Sequence, residues 1–371
     1  MDRERPVLIA AASGRALAAS ARRAGYVPLV ADGFGDQDTL AAAASHVRVD
    51  FGRPIDGDRL ITALQTLANS RDCAGIVCGS GFEDRPDLLI NIGGRWPLLG
   101  NSAETITRIK DPLGFAATCR AANIPHPETS LVPPTDAAGW LAKRIGGAGG
   151  WHIRRADKAE KGDKEIYFQR RVKGEPISVL LLCNASSVLV LGFSAQWTAP
   201  TARHPYRYGG AVRPAPLADA VKQAMTAAVV RLNSVMPLVG LNSADFVLDG
   251  DAFQLLEINP RPGATFDLFE PEGSSLFALH LDACLGTLPT RAPSYQAAMA
   301  GAIVYAKRDI VAAPALDWPE WMADRPVAGS RIKVEQPLCS VSARGATTLE
   351  AKQLVEQRKA MVHTLLAAGV S

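Results

Sequence analysis

The chain has 371 residues, and at about 150 residues per domain this length predicts two or three domains. Forty lysines and arginines against 37 aspartates and glutamates leave a net charge of +3, and 47% of the residues are hydrophobic. This balance excludes a disordered chain and provides no bulk electrostatic attraction to nucleic acid. We expect a globular, loop-rich α/β enzyme.

The cysteines and the apolar segments bear on the compartment. The six cysteines are scattered without a Cys-x-x-Cys pair, which is typical of a reduced, cytoplasmic protein. No apolar run approaches the roughly 18 residues of a membrane span. The apolar stretch Val7–Ala12 follows basic residues, as in a secretory signal, but Arg15 soon follows it, so a buried first strand explains it better.

Strands and helices alternate from residue 1 to about residue 105, which predicts a parallel sheet with crossover helices. Polar loops follow the predicted strands, at the edge where open α/β sheets bind ligands. The predicted strands are Val7–Ala11, Val27–Ala31 and Gly75–Cys78, and the predicted helices are Arg15–Ala24, Asp38–Ser45 and Asp58–Asn69.

The middle of the chain is richer in strands. A helical region over Thr105–Ala122 ends at Asn123, and a domain boundary is expected close by. Beyond it we predict strands at Leu141–Ile145 and Glu165–Val172, a hairpin over Ser178–Val190, a helix over 216–235 and a strand, turn and strand over 240–260.

The segment from about residue 291 has the pattern of a packed cap. Strands are predicted at Gly301–Lys307 and Arg331–Val341. A last helix is expected to begin at Thr347, where Thr347-x-x-Glu350 fits a capping box. Its predicted apolar side comprises Leu354, Val355, Met361, Val362, Leu365 and Leu366.

The strongest chemical signal is the apolar hairpin Ala244–Arg261. Its turn places Asp245 opposite Leu256, within one residue of Glu257, and strand alternation puts Glu257 and Asn259 on one face. Such an oxygen set suits Mg²⁺ completed by phosphate oxygens and water, and Arg261 could hold a developing phosphoryl charge. The alternative, a surface hairpin with solvated acids, does not explain why Glu257 interrupts an apolar strand.

Two further segments are candidates for nucleotide binding. A strand carrying Lys143 runs into a loop with four glycines, whose backbone N–H groups could wrap phosphate oxygens while Lys143 supplies charge. The strand ending at Gln169–Val172 offers backbone groups to an adenine edge, and Glu175 could accept from ribose hydroxyls. The alternatives are a flexible turn and a solvated strand end.

Taken in this order, the segments resemble the ATP-grasp superfamily over essentially the whole chain, with Glu-x-Asn-Pro-Arg at 257–261 as the most specific mark. The opening 8–36, the segment 79–83 and the tail are similar to the branch of ATP-dependent carboligases related to biotin carboxylase. The resemblance implies an α/β and α+β ATP-grasp fold. It predicts an N-terminal Rossmann-like domain (1–105), an ATP-grasp domain (106–290; small lobe about 125–190, large lobe about 191–290) and a C-terminal β-rich domain with a terminal helix (291–371).

Carried over residue by residue, the resemblance implies the following site. Arg261 and Lys143 would act in catalysis, and Asp245, Glu257 and Asn259 would bind Mg²⁺ or Mn²⁺. ATP would contact Lys110, Lys143, Gly147, Gly149, Gly150, Gln169, Arg170, Arg171, Val172 and Glu175. Two departures stand out: Gln169 replaces a common Glu, and Lys110-Asp111 inverts the usual Asp-Lys.

The implied reaction activates a substrate carboxylate as an acylphosphate with Mg-ATP and couples it to an amine, releasing ADP and phosphate. Expected partners are a small-molecule carboxylate and amine, and a homodimer is allowed because many relatives dimerise. Neither nucleic acid nor membrane is expected. The segment Trp197–Arg213 is predicted to be a loop at the mouth of the site, and the candidate substrate residues are Glu83, Arg85, Gln196, Arg207 and Arg213.

Rival interpretations remain open. A nucleotide sensor without turnover is favoured by an incomplete metal set, whereas here all four residues of the set are present. A dinucleotide oxidoreductase is disfavoured, because the first loop offers only Gly14 where three glycines are needed. A carboxylase that uses bicarbonate is a third option, although the chain lacks a biotin-carrier lysine motif. Ligation of glutamate or an amine to a pterin- or furan-type cofactor precursor in one-carbon metabolism rests on resemblance alone.

Overall fold

A computed structural model describes residues 4–52, 54–159 and 165–368. The N-terminal part is built around a parallel sheet, as predicted, and its strand order is β3-β2-β1-β4. Its elements in chain order are β1 (Pro6–Ala11), α1 (Arg15–Arg23), β2 (Val27–Asp32), α2 (Gln37–Ala42), β3 (Ser45–Arg48), α3 (Gly57–Ala68), β4 (Gly75–Cys78) and α4 (Pro86–Gly93).

Two elements of this sheet region were not predicted. The pattern over Asp38–Ser45 predicts one helix, but α2 stops at Ala42 because Ala43 is extended, and β3 then pairs with β2. The second is α4, which has Pro86 in its first turn. The polar loops after β1, β2 and β4 meet at one sheet edge.

The predicted helical region 105–122 is two helices, α5 (Ala103–Lys110) and α6 (Pro112–Ala121). Pro112 lacks an N–H and cannot continue α5, so it begins a new helix. The Asp111 side chain caps that helix, since its Oδ1 accepts from the Leu113 N–H at 3.2 Å. The break leaves Lys110 at the end of α5.

A small antiparallel sheet follows, of order β5-β8-β6-β7. Its strands are β5 (Thr129–Ser130), β6 (Trp140–Arg144), β7 (Arg154–Arg155) and β8 (Ile166–Arg170). Trp140, Ala142 and Phe168 form its small core. The sheet ends at Arg170, and the next strand belongs to a different sheet.

The large sheet has eight strands, of order β13-β12-β9-β10-β11-β14-β16-β15. It contains β9 (Glu175–Asn184), β10 (Val188–Thr198), β11 (Tyr208–Arg213), β12 (Val239–Asp249), β13 (Ala252–Asn259), β14 (Ala298–Tyr305), β15 (Met322–Ala323) and β16 (Pro337–Gly345), with α7 (Asp219–Val235) and α8 (Leu276–Cys284) also in this region. The strand β9 lies within the predicted small lobe but joins the large sheet. The C-terminal strands extend that same sheet through the β11–β14 pairing.

The C-terminal helix α9 (Thr348–Ala368) has the predicted capping box. Thr347 Oγ1 accepts from the Glu350 N–H at 3.1 Å, and a Glu350 carboxylate oxygen accepts from the Ala346 N–H at 2.8 Å. The apolar side includes the buried Val355, but Met361 is 52% exposed and does not belong to it. The strand predicted from Arg331 begins only at Pro337.

All six cysteines are free thiols, as their scattered spacing predicts. Among the described residues, no helix combines the length and the apolar character that a membrane crossing requires.

Candidate active site

A cavity of about 1880 Å³ lies where the three sheets approach one another. Its walls come from the loops after β1 and β4, from β6 and the loop that follows it, from β12 and β13, and from β14 and β16. Lys143, Gln169, Asp245, Glu257, Asn259 and Arg261 all line it. The cavity therefore gathers residues from the hairpin, the Gly-rich loop and the strand end that the sequence analysis singled out.

The hairpin β12–β13 brings the two carboxylates into direct register. Asp245 pairs with Glu257 and Ser243 with Asn259. The prediction that Asp245 lies opposite Leu256 is wrong by one residue, because an irregularity between Asp245 and Phe246 shifts the register. The correction places the acids directly across from each other.

The carboxylate cluster, which we define as Asp245, Glu257 and Asn259, is linked to its surroundings by short hydrogen bonds. Asp245 Oδ1 accepts from Ser178 Oγ at 2.6 Å, and Asp245 Oδ2 accepts from Asn259 Nδ2 at 2.8 Å. Burial and the facing Glu257 raise the pKa of Asp245 to about 6. Two partly buried acids that face each other repel, and a cation between them would remove that repulsion.

Two lysines approach the cluster from different elements. Lys110 Nζ donates to the Ile258 carbonyl at 3.0 Å and lies 3.9 Å from a Glu257 carboxylate oxygen. Lys143, only 4% exposed, donates to Gln169 Oε1 at 2.6 Å. Although burial alone would raise it, Lys110 and Lys143 hold the pKa of Glu257 below its ordinary value. Lys110 therefore lies beside the carboxylate cluster although the Lys110-Asp111 order is inverted.

Arg261 follows the hairpin and is held by Glu83, a residue of the N-terminal region. Its Nε donates to Glu83 Oε1 at 2.8 Å, and the two side chains are 12% and 2% exposed. Burial alone would raise the pKa of Glu83, but Arg261 and Lys110 lower it to about 2. Glu83 is therefore ionised.

The Gly-rich loop closes against the β10–β11 connection. The Gly149 carbonyl accepts from the Tyr208 N–H at 3.0 Å. At Gly150, where φ is +74°, a Cβ atom would lie 1.9 Å from the Tyr206 carbonyl oxygen, so only glycine fits. Trp151, next in the chain, packs edge-on against His204, with ring centroids 4.6 Å apart.

At the end of β8, the backbone and the side chains have different roles. The N–H groups of Arg170 and Arg171 donate to the Glu128 and Gly139 carbonyls. Among the described residues, neither backbone group of Val172 is hydrogen-bonded to another backbone group, which leaves both available to the edge of a planar base. The apolar side chains of Leu141, Val247 and Leu256 line the cavity nearby.

The sequence matches the family described as an ATP-grasp domain over residues 111–265. The chain contains an ATP-grasp domain. Its fold is similar to biotin carboxylase from Campylobacter jejuni (TM-score 0.73, 14% identity, covering 93% of this chain and 88% of that chain). It is similar also to carboxyaminoimidazole ribonucleotide synthase from Aspergillus clavatus (0.73, 17%, 99% and 100%) and to L-amino acid ligase from Bacillus licheniformis (0.71, 12%, 96% and 97%). A search of the curated proteins finds no match.

The ATP-grasp fold confirms the predicted fold class. Of the five predicted substrate residues, Gln196 is the one that lines the cavity. Glu83 holds Arg261, and Arg85 pairs with Asp87 and donates to the Ile55 carbonyl. These placements correct the assignment of Glu83 and Arg85 to an acceptor pocket.

Arg207 and Arg213 are also corrected. Arg207 is buried, donates to the Ala199 and Glu335 carbonyls, and lies over the Tyr305 ring at 3.6 Å. Arg213 donates to the Leu268 and Ala297 carbonyls. Within Trp197–Arg213, residues 199–207 form the predicted loop, and β11 occupies Tyr208–Arg213. Both guanidinium groups are nevertheless bonded to backbone carbonyls. Glu175, the predicted ribose ligand, is exposed at the start of β9 and does not line the cavity.

Another group of charged residues that lines the cavity was not predicted from the sequence. Arg15, after β1, forms a two-pronged pair with Asp267, and its Nε donates to Asp324 Oδ1 at 3.0 Å. We call Arg15, Asp267 and Asp324 the arginine brace. In the sequence, only the polar loop Ser13-Gly14-Arg15 suggested the arginine brace, because the two acids that bind Arg15 are more than 250 positions away.

Proposed function

We propose that the protein is an ADP-forming ligase, which activates a substrate carboxylate as an acylphosphate with Mg-ATP and couples it to an amine. The observation that carries this proposal is the convergence, in one cavity, of the carboxylate cluster with Lys143 and Arg261. That set suits the transfer of a phosphoryl group, whose charge must be neutralised as it moves. The ATP complex of the Aspergillus clavatus synthase, which shares the fold, supports the choice of nucleotide.

The donor set fits Mg²⁺ or Mn²⁺. Its oxygens come from two carboxylates and one amide, which are hard ligands. Among the described residues, no three His, Cys, Asp or Glu side chains converge as a closed metal site, so phosphate oxygens and water would complete the coordination. When bound, the ion would supply charge neutralisation on the phosphates. The facing acids, one of them with its pKa raised to about 6, are the arrangement that such an ion would relieve.

The chain's own residues would then divide the work. Val172 offers its backbone to the base, and Lys143 with the loop around Gly147–Gly150 holds the phosphates. Arg261 holds the transferring phosphoryl group while a substrate carboxylate oxygen attacks the terminal phosphorus and the bond to ADP breaks. The closed Gly-rich loop keeps water from the acylphosphate, so that an amine nitrogen attacks the acyl carbon and phosphate leaves.

For the substrates, we propose ligation of glutamate or a related amine in the biosynthesis of a one-carbon cofactor of the pterin or furan type. The size of the cavity supports a second substrate larger than a single amino acid. The protein would act in the cytoplasm, and a homodimer is compatible with this activity.

Two alternatives give different results in the same assay. A screen would measure ADP release with Mg-ATP and paired carboxylates and amines, and isotope exchange between the bridging and non-bridging oxygens of ATP would report acylphosphate formation without the amine. A ligase shows exchange with the carboxylate alone and release with the pair. A sensor shows neither, and a carboxylase responds to bicarbonate.

Glu257→Gln tests the assignment of the carboxylate cluster within that screen. We expect turnover to fall by about 100-fold or more, as for the loss of one preorganised electrostatic group. Glu356→Gln, an exposed glutamate on α9, is the matched control and should match the wild type. If Glu257→Gln retains full turnover, the carboxylate cluster is not the metal site.

A further inference from the structure

The guanidinium of Arg261 is oriented by three acceptors. Besides Glu83 at 2.8 Å, Nη1 donates to the Pro262 carbonyl at 3.2 Å and Nη2 to Asn259 Oδ1 at 3.5 Å. Glu83 provides the shortest of these bonds and the only charged one. Of the five N–H groups of an arginine, two are left without acceptors among the described residues.

The surroundings fix the guanidinium further. A Cβ atom on Gly263 would lie 2.8 Å from Arg261 Nη1, so glycine allows the chain to pass close to the guanidinium. On the other side, Glu83 Oε2 accepts from the Gly81 N–H at 2.8 Å. Glu83 is thus held by its own loop, after β4, before it reaches across to the ATP-grasp domain.

Without Glu83, the Arg261 guanidinium could form an ion pair with the acids of the carboxylate cluster instead. It already touches Asn259, whose Nδ2 is bonded to Asp245, so the carboxylate cluster lies within its reach. An arginine that turned to Asp245 or Glu257 would occupy the oxygens needed for the metal. The competing bond to Glu83 prevents this.

We propose that Glu83 is a positioning residue for phosphoryl transfer: it fixes Arg261 across the domain junction so that the guanidinium meets the transferring group rather than the metal ligands. This inference rests on the proposed function. It assigns Glu83, which does not itself line the cavity, a part in the chemistry.

The test uses Mg-ADP with aluminium fluoride, a mimic of the transferring phosphoryl group, on the full chain. We expect Glu83→Gln to bind Mg-ADP within about twofold of the wild type but to lose about 10- to 100-fold in affinity when aluminium fluoride is present. Arg261→Ala should show the same pattern. The double variant should be no worse than Arg261→Ala, because Glu83 acts through Arg261. Asp87→Asn, which breaks an exposed ion pair nearby, is the control.

The outcomes separate the inference from the proposed function. Additive losses in the double variant, or a Glu83→Gln protein with unchanged affinity for the mimic, would overturn the positioning role while leaving the ligase proposal intact. If aluminium fluoride does not tighten Mg-ADP binding to the wild type, the phosphoryl-transfer function fails, and the inference fails with it. If Glu83→Gln misfolds and loses Mg-ADP binding, Glu83→Asp replaces it in the test, because it keeps the charge. Its shorter side chain should still weaken binding of the mimic while leaving Mg-ADP binding unchanged.

Discussion

The carboxylate cluster and the arginine brace lie in the same cavity, and both are rich in acids, but their charges are compensated in different ways. In the brace, Arg15 bonds to both Asp267 and Asp324, and Asp324 also accepts from Ser13 and Ser340. In the carboxylate cluster, the two acids face each other, and the nearest lysine nitrogen is 3.9 Å from Glu257.

The pKa shifts follow this difference. Although burial alone would raise it, Arg15 holds the pKa of Asp324 below its ordinary value. Burial and Glu257 raise the pKa of Asp245 to about 6. The brace is therefore complete within the protein, whereas the carboxylate cluster has an electrostatic cost that a bound cation would remove. Acidic composition alone does not distinguish a binding site from a structural contact, but the balance of partners does.

Breaking the brace should give the largest effect on stability. Arg15→Met leaves Asp267 and Asp324 without their cation at a largely buried position, so we expect the free energy of unfolding in urea to fall by about 3 kcal/mol. Arg59→Met, in an exposed ion pair, should change it by less than about 0.5 kcal/mol. An Arg15→Met protein with wild-type stability but impaired nucleotide turnover would move Arg15 from the brace to the active site.

Removing the charge of Lys143 in the active site should weaken nucleotide binding without lowering the stability of the fold. Burial lowers the pKa of Lys143, although Glu257 partly offsets this. Lys143→Met should therefore weaken Mg-ADP binding by about tenfold, or ~1.4 kcal/mol, while the free energy of unfolding stays the same or rises. Calorimetry against Lys222→Met, on the exposed face of α7, gives the comparison. Equal nucleotide affinities would remove Lys143 from the phosphate site.

A third acid, Asp36, lies beside the brace but not within its bonds. It is 7% exposed, and its Oδ2 has no hydrogen-bond partner among the described residues. Burial and Asp324 raise its pKa from 3.8 to about 8. A raised carboxyl pKa means that the folded state holds a proton that the unfolded chain has lost, so stability falls as the pH rises from about 4 to about 8 and is level above that.

Asp36→Asn should remove that dependence. Its stability relative to the wild type should grow between about pH 4 and pH 8 and then stay constant, as urea unfolding at three pH values would show. Asp251→Asn, at an exposed turn, controls for a general charge effect. A difference that shrinks with rising pH would contradict a neutral Asp36 in the folded protein.

Local patterns were enough to predict the parallel sheet, the capping box at Thr347 and the residues of the hairpin, because each depends on residues close in sequence. They could not give the register at Asp245, which depends on an irregularity in the β12–β13 pairing. They also misplaced Arg207 and Arg213, since an arginine in sequence carries no sign of whether a backbone carbonyl will take its N–H groups.

Long-range pairs were beyond the reach of sequence patterns altogether. Arg261 and Glu83 are 178 positions apart, and Arg15 and Asp324 are 309 apart. Each pair joins loops at the edges of different sheets, and only the packing of those sheets brings the partners together. Both residues of the first pair were predicted as site residues, but their contact was not.

The smallest effect should come from Asp245, and it separates the two clusters most directly. With its pKa at about 6 in the metal-free protein, Asp245 lowers stability as the pH rises from about 4 to about 6. Asp245→Asn should therefore raise the unfolding temperature by a few degrees above pH 6 without nucleotide.

With Mg-ADP the wild type should become the more stable of the two proteins, because the ion stabilises only the ionised wild type. Asp36→Asn should keep its advantage under both conditions, since no cation is expected to join it. If Mg-ADP leaves the Asp245→Asn advantage unchanged, the facing carboxylates do not bind the metal, and the carboxylate cluster is structural like the brace.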